Sequence, residues 1–144
     1  MKEALSEATD AAGMGEVPVG AVIVRSGVII ARGHNTRETD RCADGHAEMT
    51  AIREASKYIG GWRLSGCTMY VTLEPCPMCA GAVINSRIDR VVIGVKDPNA
   101  GALGSVINLA SYPLGSKPKI TFGVCERECS AILHDFFAAL RKKK

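Results

Sequence analysis

Nowhere in these 144 residues do eighteen apolar side chains run together, so no segment reads as a membrane span. The opening Met1-Lys2-Glu3-Ala4-Leu5-Ser6-Glu7 carries acidic residues and lacks the apolar stretch of a secretory signal, which makes a cytoplasmic protein the expectation. An excess of one charge is lacking too. The net charge is +3, but Arg141, Lys142, Lys143 and Lys144 close the chain, and residues 1–140 hold 14 basic against 15 acidic side chains, a net of −1. The basic character is therefore local, and reads either as a phosphate contact or as a solvated, frayed end. No linker or repeat divides the chain, so a single domain over 1–144 with a basic tail at 141–144 is expected, long enough to bury a core without staples. Six cysteines without an export signal favour metal or catalytic use over disulfides. The Gly101 to Gly104 loop is too irregular for a phosphate cradle.

What is present is a run of short apolar, mostly β-branched segments. Val19 to Val24, Val28 to Ala31, Met69 to Leu73, Val91 to Val95 and Ile120 to Val124 read as five strands, too continuous for a sheet with one solvated face, so helices should cover both faces. Only Arg25-Ser26-Gly27 separates the first two, which demands a hairpin, whereas helical stretches separate the later strands. The fold class expected is α/β, a three-layer α/β/α sandwich with a mixed five-stranded sheet. Ala47, Ala51 and Ala55 with Ile52 and Ile59 suit a helix over 46–59 pressed on that sheet. Pro77 favours a helix start leading through Ala80, Val83 and Ile84. Cys129, Ile132, Leu133, Phe136, Phe137 and Leu140 recur at helical spacing, and core packing is the expected role of that last helix.

The chemistry lies in His46-Ala47-Glu48 and, thirty positions on, Pro75-Cys76-Pro77-Met78-Cys79. His46, Cys76 and Cys79 are zinc ligands by type, and three of them leave a tetrahedral ion one position short of closure. A water in that position can become a nucleophile, and Glu48 is placed to move the proton it loses. Cys76 and Cys79 are three apart, so at a helix start both sulfurs can face one ion, and the N-terminal dipole favours the thiolates. Lying just beyond the strand at 69–73, they also sit at a carboxyl edge of the sheet, where open α/β sheets bind ligands. His46 and Glu48 are two apart, about 200° around a helix, and can converge only at a helix tip. Two helix N-termini meeting over one zinc per chain is the resulting picture.

Each residue has a duller account. Glu48 could serve a capping box, Cys76 or Cys79 could be ordinary buried thiols, and Cys42 could close the ion into a structural site, giving a noncatalytic zinc-stabilised binding module. Cys67, Cys125 and Cys129 read as reduced core or boundary residues, His34 and His134 as packing or surface groups, and Glu74 as a local hydrogen-bond acceptor. The spacing specifies the ion and the proton relay but not the molecule attacked.

The His-x-Glu plus Pro-Cys-x-x-Cys pattern matches the zinc nucleobase deaminase signature. The likeness continues through Glu16-Val17-Pro18-Val19-Gly20-Ala21-Val22, His34-Asn35, Trp62-Arg63-Leu64, Tyr70-Val71-Thr72-Leu73-Glu74, Ser86-Arg87-Ile88, Gly101, Gly104-Ser105 and Asp135-Phe136-Phe137. Over nearly its whole length the chain resembles the bacterial tRNA-specific adenosine deaminases, within the zinc-dependent cytidine and deoxycytidylate deaminase superfamily. It departs from them at Asp44-Gly45, where a small or apolar pair is common, and at Pro77, a frequent valine. The resemblance implies a cytidine deaminase-like fold and a homodimer that converts the wobble adenosine of a tRNA anticodon stem-loop to inosine. It implies attack by zinc-bound hydroxide with Glu48 as proton shuttle, Asn35 against the flipped adenosine, and Asp97 against the adjacent nucleotide. The zinc signature is shared with deaminases of free guanine, cytosine or a nucleoside, which stay as the alternative because the spacing does not specify the base.

Overall fold

In a computed structural model describing residues 1–143, ten elements follow one another. They are α1 (Lys2–Gly13), β1 (Gly20–Arg25), β2 (Val28–His34), α2 (Ala47–Ile59), β3 (Cys67–Leu73), α3 (Pro77–Asn85), β4 (Arg90–Val95), a 3₁₀ turn (Leu109–Ser111), β5 (Lys119–Thr121) and α4 (Glu126–Lys142). The strands form one sheet in the order β2-β1-β3-β4-β5. β1 is antiparallel to β2 and β3, and β3, β4 and β5 are parallel, so β1 alone opposes the other four. The expected mixed sheet is present, and its carboxyl edge gathers the ends of β2, β3 and β4.

Cross-strand register explains the layering. Gly33, Ala21, Val71 and Ile93 lie side by side in one row, pointing to one face. A side chain at Gly33 would meet the Ala51 backbone nitrogen at 2.9 Å, so α2 sits directly on that row. With Ala47, Ala51, Ala55, Ala80 and Val83 opposite Ile23, Met69 and Val91, this α2/α3 face holds the main hydrophobic cluster. The alternate row runs Arg32, Val22, Tyr70 and Val92 and faces α1 and α4. There α1 packs so closely that Gly20 would place a Cβ 2.5 Å from the Ala8 nitrogen, while Arg32 pairs with Glu3 and Glu7.

Four expectations need correction. β2 continues to His34 because Arg32, which ends the apolar run, points outward to α1 rather than into the core. β5 stops at Thr121, since Gly123 adopts φ +84° and turns the chain toward α4. The core-packing role of α4 is mostly not realised: Cys129 is its one buried residue, with Phe137 40% and Leu140 43% exposed. α1 already covers β1 and β2, leaving α4 only β4 and the flank of α1. The tail is likewise not frayed through Lys142, for Arg141 and Lys142 form the last turn of α4, where cations suit the helix dipole; Lys144 lies outside the described residues. Among the described residues no helix is long and apolar enough to cross a membrane.

Candidate active site

The carboxyl edge places the motif residues at two helix tips. His46 is the N-cap of α2 in extended conformation (φ −96°, ψ 148°), and Glu48 is the second residue inside. Cys76 caps α3, Pro77 occupies a first-turn position, and Cys79 follows as the third residue. His46 thus leans back past its helix and meets both sulfurs, Nδ1 lying 3.6 Å from Cys76 Sγ and 3.4 Å from Cys79 Sγ. A capping box needs its acid at the third helical position, which Met49 occupies, so Glu48 does not fill that role.

Zinc–sulfur bonds of about 2.3 Å and zinc–nitrogen bonds of about 2.05 Å at a tetrahedral angle would separate nitrogen from sulfur by about 3.6 Å. The observed spacings fit that requirement, and the three ligand atoms all lie within 4.8 Å of one another. The electrostatics fit as well. The hydrogen bond from the Cys79 thiol draws Cys76 down to about 4 despite burial, with His46 adding to the effect. Cys79, the donor, is pushed upward by that bond and by burial. The bond to Cys76 raises His46 against the desolvation that opposes it. One thiolate therefore stands ready, and the protons that a zinc ion must displace are those the three groups share.

Cys42 does not join them. It is exposed, its thiol is raised by a hydrogen bond with Asp44, and it is absent from the converging ligand atoms. Asp44 in turn pairs with Arg53, so the departure from the family pattern at Asp44-Gly45 is a surface ion pair beside the site. Glu7, Asp10 and His34 form a second group of converging donors, but His34 Nδ1 is 2.9 Å from Glu7 and Arg32 contacts the same carboxylate.

Beside the zinc ligands opens a cavity of about 460 Å³, in the range of small-ligand pockets. Asn35, immediately after β2, and Asp97, two residues after β4, both line it with His46, Glu48 and Cys76. Asn35 is held in place, its Nδ2 donating to the Val17 carbonyl and its Oδ1 accepting from the Arg37 N–H. Asp97 Oδ1 accepts from the Asn99 and Ala100 N–H groups, folding its own loop. Phe136 and Leu140 of α4 complete the wall. They were missed as site residues because their helical spacing fits a core face equally well; the signal was an apolar stripe running straight into a basic end.

Glu48 is 4% exposed, and burial pushes its carboxyl up to about 7, its own backbone N–H being the main opposing influence. A group that holds or releases a proton near neutrality is suited to carry one in both directions. Two other buried carboxylates reach the same cavity, Glu16 (1% exposed) and Glu74 (2%). Glu74 is indeed a hydrogen-bond acceptor, though its donors lie 23 to 31 residues away rather than locally. Cys67 and Cys129 are buried free thiols and Cys125 is half-buried, as their sequence positions implied.

Three ligand donors at two helix tips, with a buried acid beside them at the carboxyl edge of a mixed sheet, define a nucleobase deaminase by class, and residues 1–141 match the family model described as MafB19-like deaminase. The chain is 53% identical to the tRNA-specific adenosine deaminase of Bacillus subtilis, spanning all of this chain and 90% of that one. A solved structure from studies of A-to-I editing by tRNA:A34 deaminases at the wobble position superposes with a TM-score of 0.89 at 42% identity, covering 92% of this chain and 97% of that one. Guanine deaminase from Bacillus subtilis is more distant, with a TM-score of 0.63 and 35% identity over 74% of this chain and 78% of its own. The chain belongs to the tRNA-specific adenosine deaminase family.

Proposed function

We propose that this protein converts adenosine to inosine at the wobble position of a tRNA anticodon loop, as a single cytoplasmic catalytic domain holding one zinc per chain on His46, Cys76 and Cys79. The observation that carries the reading is the meeting of those three side chains with buried Glu48 in one cavity, within a chain whose full-length relatives act on tRNA adenosine. When bound, zinc supplies a Lewis acid that brings the pKa of water toward neutrality.

Glu48 takes the proton of the water that adds to C6 of adenine and delivers it to N1. It then passes a proton to the departing amine, so that adenosine and water give inosine and ammonia. With an ordinary carboxyl pKa it would be a poor acid for the second half of that cycle; burial corrects this. Asn35 contacts the flipped adenosine, and Asp97 the adjacent nucleotide, both from the lining of the cavity. Arg141 and Lys142, directly after Leu140, extend the wall into solvent with two cations suited to phosphate.

The active form is a homodimer. Met78 on α3, and Val106, Ile107, Tyr112 and Leu114 on and around the 3₁₀ segment that packs against α3, are large apolar side chains exposed in the single chain, and a second copy would cover them.

The likeness to a guanine deaminase supports a second reading, a free purine as substrate. One assay separates the two: anticodon stem-loop RNA, adenosine, guanine, cytosine and cytidine offered side by side, with ammonia and inosine both measured. Turnover of the RNA with little from the small molecules is expected. Turnover of the small molecules alone would establish the second reading.

A further inference from the structure

Two segments that line the cavity are each fastened by a buried glutamate that also reaches it. On one side, Glu74 follows β3 and precedes Pro75-Cys76. Its Oε1 accepts the Asp97 N–H (3.1 Å) and the Ser105 hydroxyl, and its Oε2 accepts the N–H groups of Leu103 (3.1 Å) and Ser105 (3.1 Å). A Cβ at Gly101 would collide with this carboxylate, so the loop 97–105 is wrapped around it. On the other side, Glu16 leads into β1. Its Oε1 accepts the Glu38 N–H (3.1 Å), and its Oε2 accepts the N–H and hydroxyl of Thr39, each at 2.6 Å. Arg37 and Glu38, the residues next to these bonds, line the cavity with Asn35.

We propose that Glu16 and Glu74 are positioning residues for the substrate, each acting as an anionic peg that fixes one wall of the cavity: Glu74 sets Asp97, and Glu16 sets the 35–38 segment carrying Asn35. The proposal rests on the reading that Asn35 and Asp97 touch the substrate. Neither glutamate is a proton carrier. The oxygens of each are already taken up as acceptors, by three donors at Glu16 and four at Glu74, all from the chain itself. The chemistry of the donors makes the role specific to the charge. Every oxygen faces at least one backbone N–H, so glutamine, equal in shape, must turn its own NH₂ toward a donor. At Glu74 the arrangement costing least puts that NH₂ toward Asp97 and Ser105, because the hydroxyl can reverse and accept whereas the Asp97 N–H cannot. The isosteric change therefore releases the Asp97 end of the loop first.

The test is a double-mutant cycle on the zinc-loaded full chain, with anticodon stem-loop RNA as substrate and kcat and KM measured separately. Glu74→Gln is expected to raise KM about tenfold with kcat within about threefold and zinc content unchanged, a change in the range that small misplacements of substrate contacts produce. Added to Asp97→Ala, it is expected to cause no further loss. Glu16→Gln should behave likewise against Asn35→Ala. An equal loss in both backgrounds, a loss confined to kcat, or no loss overturns the proposal. A silent Asp97→Ala beside a raised KM in Glu74→Gln would remove Asp97 from the substrate contacts and retain the peg. Should Glu74→Gln not fold, Ser105→Ala removes one donor and leaves the carboxylate in place. A smaller KM increase, again absent in the Asp97→Ala background, supports the proposal, and unchanged KM contradicts it.

Discussion

The tip of α2 and the end of β3 each bring a buried glutamate to the same cavity, and the two are treated in opposite ways. Glu74 meets three backbone N–H groups and a hydroxyl, while Glu48 is met chiefly by its own N–H and the Cys79 thiol. Burial is nearly the same; the supply of donors differs. Desolvation with few donors pushes the Glu48 carboxyl up, whereas at Glu74 four converging donors occupy both oxygens, so near-equal depth comes with very different hydrogen bonding. Glu16 belongs with Glu74: burial would raise it, but the bonds from Thr39 and Glu38 outweigh that and hold it below its ordinary value. On the proposed mechanism, the acid left short of partners is the one that carries the proton.

The contrast can be broken at its strongest point by removing the metal. Stripping zinc with a chelator, or replacing Cys79 with alanine, should abolish turnover, and metal should restore only the stripped wild-type protein; inosine formation alongside zinc content checks this. Next in size is the stability of the pegs. Glu74→Gln forces at least one buried donor to lose its acceptor, costing about 2 kcal/mol and lowering Tm by roughly 6 °C. Glu48→Gln, with few donors to orphan, should lower Tm far less, and a thermal melt of both decides.

The pH dependence sharpens the pairing of Glu16 with Glu74. Because the native pKa of Glu16 lies below the reference 4.5, its contribution is present above that value and is lost as pH falls through the native one. The Tm difference between wild type and Glu16→Gln should therefore be full above about pH 5 and shrink as pH falls below the reference value. The smallest effect concerns the end of α4. Deleting residues 141–144 should reduce the slope of log affinity for RNA against log salt by roughly 1 to 2, at about 0.7 for each phosphate the tail no longer neutralises.

Much of this edge was legible in the sequence because its geometry is local. A histidine two residues before a glutamate can converge with it only at a helix tip, and His46 is found as the cap of α2. Cysteines three apart behind a proline can share a metal, and Cys76 and Cys79 do converge on His46. The five strands were legible from apolar runs, though their bounds moved by one to three residues, most at β2 and β5, where Arg32 and Gly123 decide the ends. The pegs were not legible in the same way. Glu74 announces an acceptor but not its donors at 97–105, and Glu16 reads as an ordinary acid before a strand, because what holds each is a loop distant in the chain. The exposed half of α4 was hidden for a related reason: periodicity shows that a face is apolar but not whether the sheet still has room for it.

The account rests on Glu48 carrying protons beside a zinc site that stands without it. The most direct measurement is zinc content and inosine formation in one preparation of Glu48→Ala with anticodon stem-loop RNA. One zinc per chain with a rate lowered by roughly 10²- to 10⁴-fold or more is the expected result. Full activity with zinc in place would contradict it.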